Sequence, residues 1–518
     1  MRVGIFGWGV VAPKSPNIEA FRENLCRAGS WLSPFEGYGP NNFLVGMPEF
    51  DFNDYREWMN ARFAPRHFQN LKEKMDMPAL YAVGAFIQAL SQNEGMESLL
   101  KELGTAAHVY VGTGLGAVDA SYKASIALYE AQKRWDAFWA QPERNSALAG
   151  RQKVGTVGEE GAPPDPGTLP AEETDRALAA WNAFWMARSP ELQQYLEEAA
   201  EIDGLGVEGD VETGKLNVLR EKSRRHARLQ EKWGSPDPPW KMSANLIWNI
   251  PNAAAAQISI VGGITGLAFA PVAACSTFGV ALQLAMKAIR HGEAKVVVVG
   301  ATDPPPHPLT LGAFYAARVL AANRKVSNPL THLHGTHVAG GSVVWIVGDL
   351  EYMKAKGFRP LGMEPLAVGL SSDAHHIITP SVEGPKAAIR LALDEARAKP
   401  EDLATWDMHA TATPGDYSEI TTFCSQFPGS VLVTARKGTF GHGMSAGGGW
   451  ELTAQYLGYE QGELFATSVP QEDLNPAIGG LHANFVFAEA CPAPAGLAGK
   501  ISMGIGGINA CVISRPLE

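Results

Sequence analysis

The sequence predicts an α/β protein in which helices cover a mostly parallel sheet. Short apolar runs rich in Val and Ala, bounded by Gly, Pro or Asp, recur along the chain and are typical of buried strands. Helical patterns alternate with these runs, as expected when a sheet is covered by helices. The alternation restarts near residue 361, which predicts a second, smaller α/β layer.

The individual elements follow that alternation in chain order. Strands are predicted in the first part over 2–13, 107–114, 267–275, 295–301 and 342–350. Helices are predicted between them over 17–29, 78–92 and 279–293. The second part has strands over 365–372, 405–411, 430–435 and 500–514, with a helix over 385–403. We therefore expect an N-terminal half over 1–350 and a C-terminal half over 351–518.

The region from about 120 to 240 has a different pattern and is predicted to be a large helical insertion in the N-terminal half. It is charged, and a loop rich in Gly and Pro over 155–170 interrupts it. Two similar stretches each place three aromatic residues on one helical face: Trp135, Phe138, Trp139, Trp181, Phe184 and Trp185. Either these faces pack on the body of the protein, or they form a lid over a long apolar ligand.

Composition limits the class of protein. The 518 residues carry a net charge of −11, which argues against general affinity for nucleic acid. The five cysteines are scattered without a C-x-x-C pair, so we expect a reducing compartment and no thiolate metal site. No apolar run is long enough to span a bilayer, and the first residues lack the apolar core of a signal peptide. We expect a cytoplasmic protein.

Cys275 lies in the stretch AACSTFG, between a predicted strand and a helix that is apolar nearly all round. A thiol in the first turn of a helix feels the positive end of the helix dipole, which favours thiolate over thiol. Gly279 and the neighbouring alanines admit close approach of other backbone segments. The stretch fits a nucleophile, but it also fits an inert buried cysteine.

Two later stretches offer acid–base partners for a thiolate. DMHATATPGD places His409 at the end of a short strand, and ARKGTFGHGMSAGGGWE places Lys437, His442 and Glu451 among glycines. A single histidine in a loop is usually structural, but both of these are enclosed by small residues that would admit a ligand. A glycine-dense turn over 502–510 has backbone N–H groups that could face an anion.

The order of these stretches resembles that of the β-ketoacyl-[acyl-carrier-protein] synthases, in the elongating Cys-His-His branch of the thiolase superfamily. The resemblance covers nearly the whole chain outside the insertion. Five stretches carry it: GWGVVAPKSPNIEAFRENLCRAG, NLIWNIPNAAAAQISIVGGITGLAFAPVAACST, HATATP, KGTFGHGMSAGGGWE and GIGGIN. The last three resemble the family patterns H-G-T-x-T-P, K-x-x-x-x-G-H and G-F-G-G-x-N. The resemblance implies a thiolase-like fold of two similar α/β halves, layered α-β-α-β-α.

The resemblance also implies a mechanism. Cys275 would accept an acyl group as a thioester, and a carrier-bound malonyl unit would lose carbon dioxide and attack it. His409 and His442 would donate N–H groups to the enolate oxygen. The backbone N–H groups of Cys275 and Ile505 would form the oxyanion hole of the condensation. Lys437 and Glu451 would be a supporting ion pair.

The sequence departs from the family pattern in the parts that contact substrate. Thr411 and Thr413 correspond to residues that hydrogen-bond the pantetheine arm. Ile505 and Met503 stand where the family has phenylalanines, and Ile505 takes the place of the acyl gate. Ala410 follows His409 where the family has glycine, and the PGD stretch is one residue shorter. The chain-length preference therefore does not carry over from the family.

Three histidines replace an acidic segment of the family: His332, His334 and His337. Without a carboxylate or thiolate ligand nearby in the sequence they are a poor metal site. We expect no metal here, and instead a place for these side chains in the cavity lining or at a subunit interface.

The resemblance implies partners but no dissociable cofactor beyond the phosphopantetheine of the substrate. An acyl carrier protein, acyl and malonyl thioesters, and a homodimeric or ketosynthase-type heterodimeric partner are expected. The basic run 220–233 is either a solvated helix face or a carrier docking patch centred on Arg224, Arg225 and Arg228. Two other functions stay open: a thiolase-like acyltransferase that does not decarboxylate malonate, and a non-catalytic chain-length partner of another ketosynthase.

Overall fold

The chain forms two compact units. The computed structural model describes residues 1–36, 43–154, 161–207, 209, 211–241 and 245–517. The first unit contains Met1–Ala120 together with Ile247–Glu518, and the second unit is Ser121–Leu246. The second unit is helical, and in sequence it interrupts the first.

The strands belong to the first unit. In chain order they are β1 (Val3–Val11), β2 (Ser33–Pro34), β3 (Leu44–Val45), β4 (Ala107–Gly112), β5 (Ala268–Phe269), β6 (Val296–Asp303), β7 (Gly341–Asp349), β8 (Met363–Ser372), β9 (Leu403–Asp407), β10 (Leu432–Thr434), β11 (Glu463–Leu464), β12 (Asn484–Phe485), β13 (Cys491–Pro492), β14 (Leu497–Gly504) and β15 (Ile508–Pro516).

The helices belong to both units. In chain order they are α1 (Ile18–Leu25), α2 (Arg56–Asn60), α3 (Pro65–Lys74), α4 (Met77–Ser91), α5 (Met96–Leu103), α6 (Val118–Trp139), α7 (Ser146–Val154), α8 (Ala171–Met186), α9 (Pro190–Asp203), α10 (Val211–Trp233), α11 (Asn245–Trp248), α12 (Ala253–Gly262), α13 (Thr277–Arg290), α14 (Pro308–Ala316), α15 (Leu350–Ala355), α16 (Glu383–Ala396), α17 (Gly415–Gln426), α18 (Lys437–Phe440), α19 (Met444–Gln461) and α20 (Pro476–Gly479).

The first sheet has the strand order β1-β7-β6-β4-β5. β4 runs parallel to β5 and β6, but β7 runs antiparallel to both β1 and β6. Four of the five strands of this sheet therefore run in one direction and β7 runs against them, so the expectation of a mostly parallel sheet is confirmed, with one antiparallel strand. The connection between β6 and β7 contains α14 and brings the chain back beside β6 in the opposite direction.

The second sheet has the strand order β12-β10-β9-β14-β15-β8. Its centre is parallel, since β9 pairs in parallel with both β10 and β14. β14 and β15 form an antiparallel hairpin. The turn of this hairpin places Gly506 at φ 92° and Gly507 at φ 73°, a left-handed conformation that glycine adopts without steric cost. All strands of the first sheet precede residue 350, and all strands of the second follow it.

Five layers build the first unit. α4 and α12 cover the outer face of the first sheet, α13 and α19 lie between the two sheets, and α16 covers the outer face of the second. Buried apolar side chains fill each space between the layers, so α13 and α19 are enclosed on both faces. This α-β-α-β-α arrangement agrees with the predicted fold class and buries the loops that precede α13 and α19 at its centre.

The aromatic faces of the insertion pack within the second unit itself. Trp135 and Trp139 of α6 are buried against Tyr195 of α9. Trp181 and Trp185 of α8 form a second cluster with residues of the same unit. The expectation that these faces pack on the body of the protein is therefore wrong, and so is the alternative of a lid built from them. Their role is to give the insertion its own apolar core.

Candidate active site

Parallel strands gather the candidate residues at one edge of the second sheet. Because β9, β10 and β14 run parallel, their carboxyl ends lie at the same edge. His409 follows β9, both Lys437 and His442 follow β10, and Ile505 follows β14. The sheet topology therefore brings together side chains that are distant in sequence.

Cys275 lies in a tight turn, Ala274–Ser276, that leads into α13. Ala274 has a φ of 48°, in the left-handed region that residues with a Cβ seldom adopt. The Thr277 hydroxyl holds this turn, since it donates to the carbonyl of Ala274 at 2.7 Å and accepts the N–H of Ala273 at 3.0 Å. The sulfur is thereby fixed at the start of α13.

The nucleophile turn is seated against the β14–β15 hairpin. The Ser276 hydroxyl donates to the carbonyl of Ile508 at 2.7 Å. A Cβ added at Gly279 would lie only 2.7 Å from the Cβ of Ala510, so a larger residue would force α13 away from the hairpin. The close approach expected at Gly279 is present, and it sets the position of Cys275 relative to the second sheet.

His442 is aimed at the sulfur of Cys275. The backbone N–H of Met444 donates to its Nδ1 at 3.2 Å, so a neutral ring carries its proton on Nε2. Nε2 lies 3.3 Å from the sulfur. The ring therefore presents an N–H donor, not a lone pair, to the place where the thioester would form.

His409 completes the group of three. Its ring centroid lies 5.4 Å from that of His442, with an angle of 82° between the planes. One ring nitrogen from each histidine and the sulfur of Cys275 lie within 4.8 Å of one another. All three side chains are buried, so charge developing among them would be poorly screened by water.

The backbone on either side of His409 is fixed by the carboxyl group of Glu419 and the ammonium group of Lys437. The N–H groups of His409 and Ala410 donate to the two oxygens of Glu419, at 2.6 and 2.8 Å. The ammonium of Lys437 donates to the carbonyl of His409. The orientation of this histidine therefore depends on its main chain, which α17 and α18 hold in place.

Both histidines are neutral at physiological pH. Burial lowers the pKa of His409 well below its ordinary value, and the positive charge of Lys437 lowers it further. Burial and then Lys437 have the same effect on the pKa of His442. A neutral imidazole has one N–H and one acceptor nitrogen, so each ring can donate a single hydrogen bond to an oxyanion.

The burial of Cys275 favours the thiol over the thiolate. Burial raises its pKa to about 11, although the backbone N–H of Ile505 and the charge of Lys437 oppose the rise. The expectation that the start of α13 favours the thiolate is therefore corrected, because loss of hydration outweighs the nearby N–H groups. Formation of the thiolate therefore requires that a bound substrate change the surroundings of the sulfur.

The residues expected at the oxyanion hole and acyl gate lie at the β14–β15 hairpin. The backbone N–H groups of Cys275 and Ile505 both stabilise the thiolate form, so both face the sulfur. The side chain of Ile505 is 44% exposed. Met503 lines a small cavity with Ile389 and Trp406, whereas its neighbour Ser502 faces α19. Met503 therefore projects from the opposite face of β14.

Lys437 and Glu451 belong to a larger buried charge cluster that sequence reasoning did not find. Lys437 lies 2.6 Å from Glu451, and Lys500 lies 2.8 Å from the other oxygen of the same carboxylate. Asp407 lies 3.5 Å from Lys500 and 3.4 Å from Arg436. One sequence feature could have predicted this cluster, namely the lysine inside the apolar strand LAGKISMG. A fully buried lysine needs charged partners.

Two buried carboxyl groups of α17, Asp416 and Glu419, were also missed. Burial raises the pKa of Asp416 to about 6. Burial and the charge of Asp416 raise the pKa of Glu419 to about 8. Their spacing could have identified them in the sequence. Two acidic residues three positions apart lie on one face of a helix, and this helix directly follows HATATP.

Thr411 and Thr413 lie together on the loop that follows His409. Their hydroxyl oxygens are 3.0 Å apart. The N–H groups of Thr411 and Ala412 donate to the two oxygens of Asp416, at 2.8 and 3.0 Å. Asp416 therefore shapes the loop that carries both hydroxyl groups.

Asp303 at the end of β6 anchors the helix that follows His442. One of its oxygens accepts the N–H groups of Gly114 and Leu115, at 3.0 and 2.7 Å. The other accepts the N–H of Ser445 in the first turn of α19, at 2.7 Å. This carboxylate ties the first sheet to the segment that positions the imidazole.

The three histidines that replace the acidic segment form no metal site in the described part of the chain. Both ring nitrogens of His337 are used inside the protein, by the N–H of Ser327 at 2.7 Å and the carbonyl of Leu44 at 3.0 Å. The rings of His332 and His334 lie 6.3 Å apart. For His337 the expectation of a cavity or interface role is therefore wrong: it joins three segments of the interior.

The basic run lies on α10 of the second unit. Arg224 and Arg225 both pair with Glu221 on their own helix, at 2.6 and 2.7 Å. Arg228 is exposed. The pairing neutralises part of the basic face, which is the behaviour of a solvated helix.

The comparisons with known proteins agree with the fold. A family model described as the N-terminal domain of β-ketoacyl synthases matches residues 192–351, and the model of the C-terminal domain matches residues 364–468. Together they match just over half of the chain. The chain belongs to the β-ketoacyl synthase family.

The sequence identity to individual relatives is low. The chain is 31% identical over 224 residues to nodulation protein E of Rhizobium meliloti, which is 42% of this chain and 55% of that protein. It is 28% identical over 284 residues to 3-oxoacyl-[acyl-carrier-protein] synthase 2 of Staphylococcus aureus, covering 52% of this chain and 66% of that one. The chain thus spans between about half and two thirds of these relatives.

Solved structures share the fold over the full chain. The ishigamide ketosynthase/chain length factor superposes with a TM-score of 0.68 at 18% identity, covering 100% of this chain and 99% of that one. A β-ketoacyl synthase from Burkholderia phymatum gives a TM-score of 0.67 at 17% identity, covering 100% of both chains. The thiolase-like fold class predicted from the sequence is confirmed. Among the described residues, no helix is long and apolar enough to cross a membrane.

Proposed function

We propose that the protein is a β-ketoacyl synthase that joins an acyl group on Cys275 to a malonyl unit with loss of carbon dioxide. One observation supports this most strongly: a buried thiol and two buried neutral imidazoles lie within 4.8 Å of one another. Decarboxylation places negative charge on one thioester oxygen, and two neutral N–H donors suit that charge. A thiolase-like site would have a second cysteine in place of one of these histidines.

The first step loads the enzyme. The sulfur of Cys275 attacks the carbonyl of an acyl thioester, and the N–H groups of Cys275 and Ile505 hold the resulting oxyanion. The N–H on Nε2 of His442, 3.3 Å away, favours the attacking thiolate. The proton from Cys275 ends on the pantetheine sulfur that leaves, so loading is an exchange of one thioester for another.

The second step generates the nucleophile. The malonyl carboxylate leaves as carbon dioxide, and its electron pair moves into an enolate on the malonyl thioester oxygen. His409 and His442 each donate one N–H to that oxygen. Removing a donor of this kind typically costs about 2.7–4 kcal/mol of transition-state stabilisation.

The third step forms the carbon–carbon bond. The enolate carbon attacks the acyl carbonyl on Cys275, and the tetrahedral oxyanion again lies at the N–H groups of Cys275 and Ile505. Collapse of this intermediate expels the thiolate of Cys275, which takes up a proton from solvent. The products are carbon dioxide and a β-ketoacyl thioester that is longer by two carbons.

The substrates are acyl and malonyl thioesters carried on phosphopantetheine, and the reaction needs no other cofactor. A neighbouring solved structure, with a TM-score of 0.62 at 17% identity, is described as a type II PKS acyl-carrier protein in complex with its ketosynthase. We therefore propose an acyl carrier protein as the partner, in fatty-acid or polyketide synthesis in the cytoplasm. Thr411 and Thr413 would hold the pantetheine arm, and Arg228 is the best-placed basic candidate for the carrier.

A dimer is the proposed assembly, formed with a second copy or with a related subunit. β5 is the outermost strand of the first sheet, so one of its edges is unpaired within the described residues. Leu267 and Val272 flank it and are 55% and 62% exposed, and Ile260 on α12 is 52% exposed. An unpaired edge with apolar side chains is a surface that another chain can cover.

The proposal is tested with two substrates added separately and together. The protein is incubated with a short-chain acyl coenzyme A thioester, and acylation of Cys275 is followed by peptide mass spectrometry. Carboxyl-labelled malonyl carrier protein is then added, and labelled carbon dioxide and β-ketoacyl product are measured. Acylation with carbon dioxide and product supports the proposal. Acylation without carbon dioxide indicates the transferase, and neither event indicates a non-catalytic partner.

A further inference from the structure

A buried charge cluster lies behind the two candidate catalytic histidines. Its members are 3% exposed or less. They are Lys437, Lys500, Arg436, Asp407 and Glu451. Three positive groups and two negative groups leave the cluster with one net positive charge. Burying an unbalanced charge costs free energy, so we expect the net positive charge at this place to have a function.

Lys500 is the member that makes the cluster positive around Glu451. Its ammonium lies 2.8 Å from one oxygen of Glu451, while that of Lys437 lies 2.6 Å from the other. Asp407 is farther from Lys500, at 3.5 Å, and is also shared with Arg436. A single Lys437–Glu451 pair would be neutral, whereas two lysines on one carboxylate leave positive charge uncompensated.

Both lysines point to the main chain that carries His409. Lys500 donates to the carbonyl of Met408 at 3.3 Å, and Lys437 donates to the carbonyl of His409 itself. The two ammonium groups therefore approach consecutive peptide units at the end of β9. Their charge therefore lies beside the main chain that carries the ring of His409.

We propose that Lys500 is a positioning residue of the condensing site, which keeps the buried charge cluster positive and so holds His409 and His442 as neutral N–H donors. The inference rests on the proposed function, because the neutral donors matter only if an oxyanion forms there. A nearby positive charge disfavours a second one, so an imidazolium is excluded. The same charge favours the enolate that both rings would bind.

The electrostatics of the rings agree with this role. Lys437 and Lys500 both lower the pKa of His409, and both lower that of His442, after burial as the main cause. The other groups that face the rings add little negative charge. Cys275 is a thiol, and Glu419, which accepts the N–H of His409, has a pKa raised to about 8. Within the described part of the chain, no carboxylate therefore opposes the effect of Lys500 on either ring.

Four variants test the inference. Lys500→Met removes the net charge, Asp407→Asn increases it, and the double variant restores the original balance of one positive charge. Lys500→Arg keeps the charge with a different shape. A merely structural role of Lys500 predicts that the double variant is at least as damaged as the single one.

The readout is the titration of the histidine rings in the absence of substrate. The 13 histidines are labelled with ¹³C at Cε1, and the signals of His409 and His442 are assigned with His→Gln variants. In Lys500→Met the midpoints of both histidine titrations are expected to rise by about one pH unit. This is the low end of the effect that one nearby charge has on a pKa. Lys500→Arg and the double variant are expected to return them to the wild-type position.

The outcomes separate this inference from the proposed function. Unchanged titrations in folded Lys500→Met, or a double variant that behaves like the single one, would overturn the role of Lys500. If Lys500→Met does not fold, Asp407→Asn decides: it must move the titrations downward, and no movement overturns the inference. If the titrations move as expected but wild-type protein releases no carbon dioxide, the proposed function fails while the electrostatic role of Lys500 stands.

Discussion

Nε2 of His442 lies 3.3 Å from the sulfur of Cys275, although 167 positions separate the two residues in sequence. The contact is made with the N–H side of the ring, because Nδ1 accepts the N–H of Met444. His409 is the second donor in the proposed mechanism, but no direct bond joins its ring to the sulfur among the described contacts. This difference predicts different consequences for the two substitutions.

His409→Ala is expected to lower release of carbon dioxide by about 10²–10³-fold, as for loss of one oxyanion donor. Acylation of Cys275 should change much less, because Nε2 of His442 still contacts the sulfur. His442→Ala should slow both acylation and decarboxylation. Rapid-quench assays of each half-reaction measure the two effects. Equal loss of both half-reactions in His409→Ala would contradict the separate roles.

Alkylation of Cys275 should be slow at neutral pH and should increase throughout the alkaline range. With a pKa of about 11, only about one molecule in a thousand is a thiolate at pH 8. Iodoacetamide labelling at a series of pH values, read by peptide mass spectrometry, measures this. Exposed Cys26 in the same protein is the internal comparison. A plateau of Cys275 labelling below pH 8 would show that the free enzyme already holds a thiolate.

Glu419 should make the protein less stable as pH rises from about 4.5 to about 8. Its folded-state pKa is raised to about 8 from an ordinary value of 4.5, so between these values the folded state binds more protons than the unfolded state. The free energy of unfolding therefore falls as pH rises across this window. Glu419→Gln removes the titration and should flatten the slope, measured by denaturant unfolding.

The matched control for that slope is Glu472→Gln, which changes an exposed acid. It should leave the dependence of stability on pH as in the wild type. An unchanged slope in Glu419→Gln would mean that Glu419 is already ionised in the folded protein.

The left-handed backbone at Ala274 predicts an unusual tolerance to glycine. Ala→Gly inside a helix costs about 1 kcal/mol, which is expected for Ala281 within α13. At Ala274, with φ of 48°, glycine relieves a strain of about the same size, so Ala274→Gly should be close to neutral. Denaturant midpoints of the two variants measure the difference. Similar losses in both would show that the turn before Cys275 is not strained.

The basic face of α10 gives a test of carrier docking. Replacing Arg224, Arg225 and Arg228 with Glu should weaken turnover with malonyl carrier protein and spare acylation by small thioesters. Arg228→Glu alone should account for most of the effect, because the other two are paired with Glu221. Arg134→Glu, on α6 of the same unit, is the control. Equal loss with small thioesters would discard the docking role.

Much of this site could be predicted from the sequence because its residues have local signatures. Cys275 follows a strand and precedes an apolar helix, and the two histidines lie in loops of small residues. The direction of β7 could not be predicted in this way, because apolar periodicity is the same in parallel and antiparallel strands. The protonation of Cys275 also depends on how completely the layers enclose it.

The roles of Lys500 and Glu419 could not be predicted from the sequence either. Each is a single charged residue in an ordinary stretch, and its role becomes visible only when Glu451 or the N–H of His409 lies beside it. The aromatic faces of the insertion could be predicted from the sequence, but the surface against which they pack could not. Trp135 and Trp185 pack inside the insertion because other helices of that unit supply the matching apolar surface.

A single-turnover reaction tests the central claim most directly. Protein acylated on Cys275 is mixed with carboxyl-labelled malonyl carrier protein, and carbon dioxide and β-ketoacyl product are sampled together. We predict that both appear at the same rate and in equal amounts, while the acyl group leaves Cys275. Loss of the acyl group to water or to another thiol, with the label still in malonate, would contradict a site in which the thiol and two imidazoles act on one thioester.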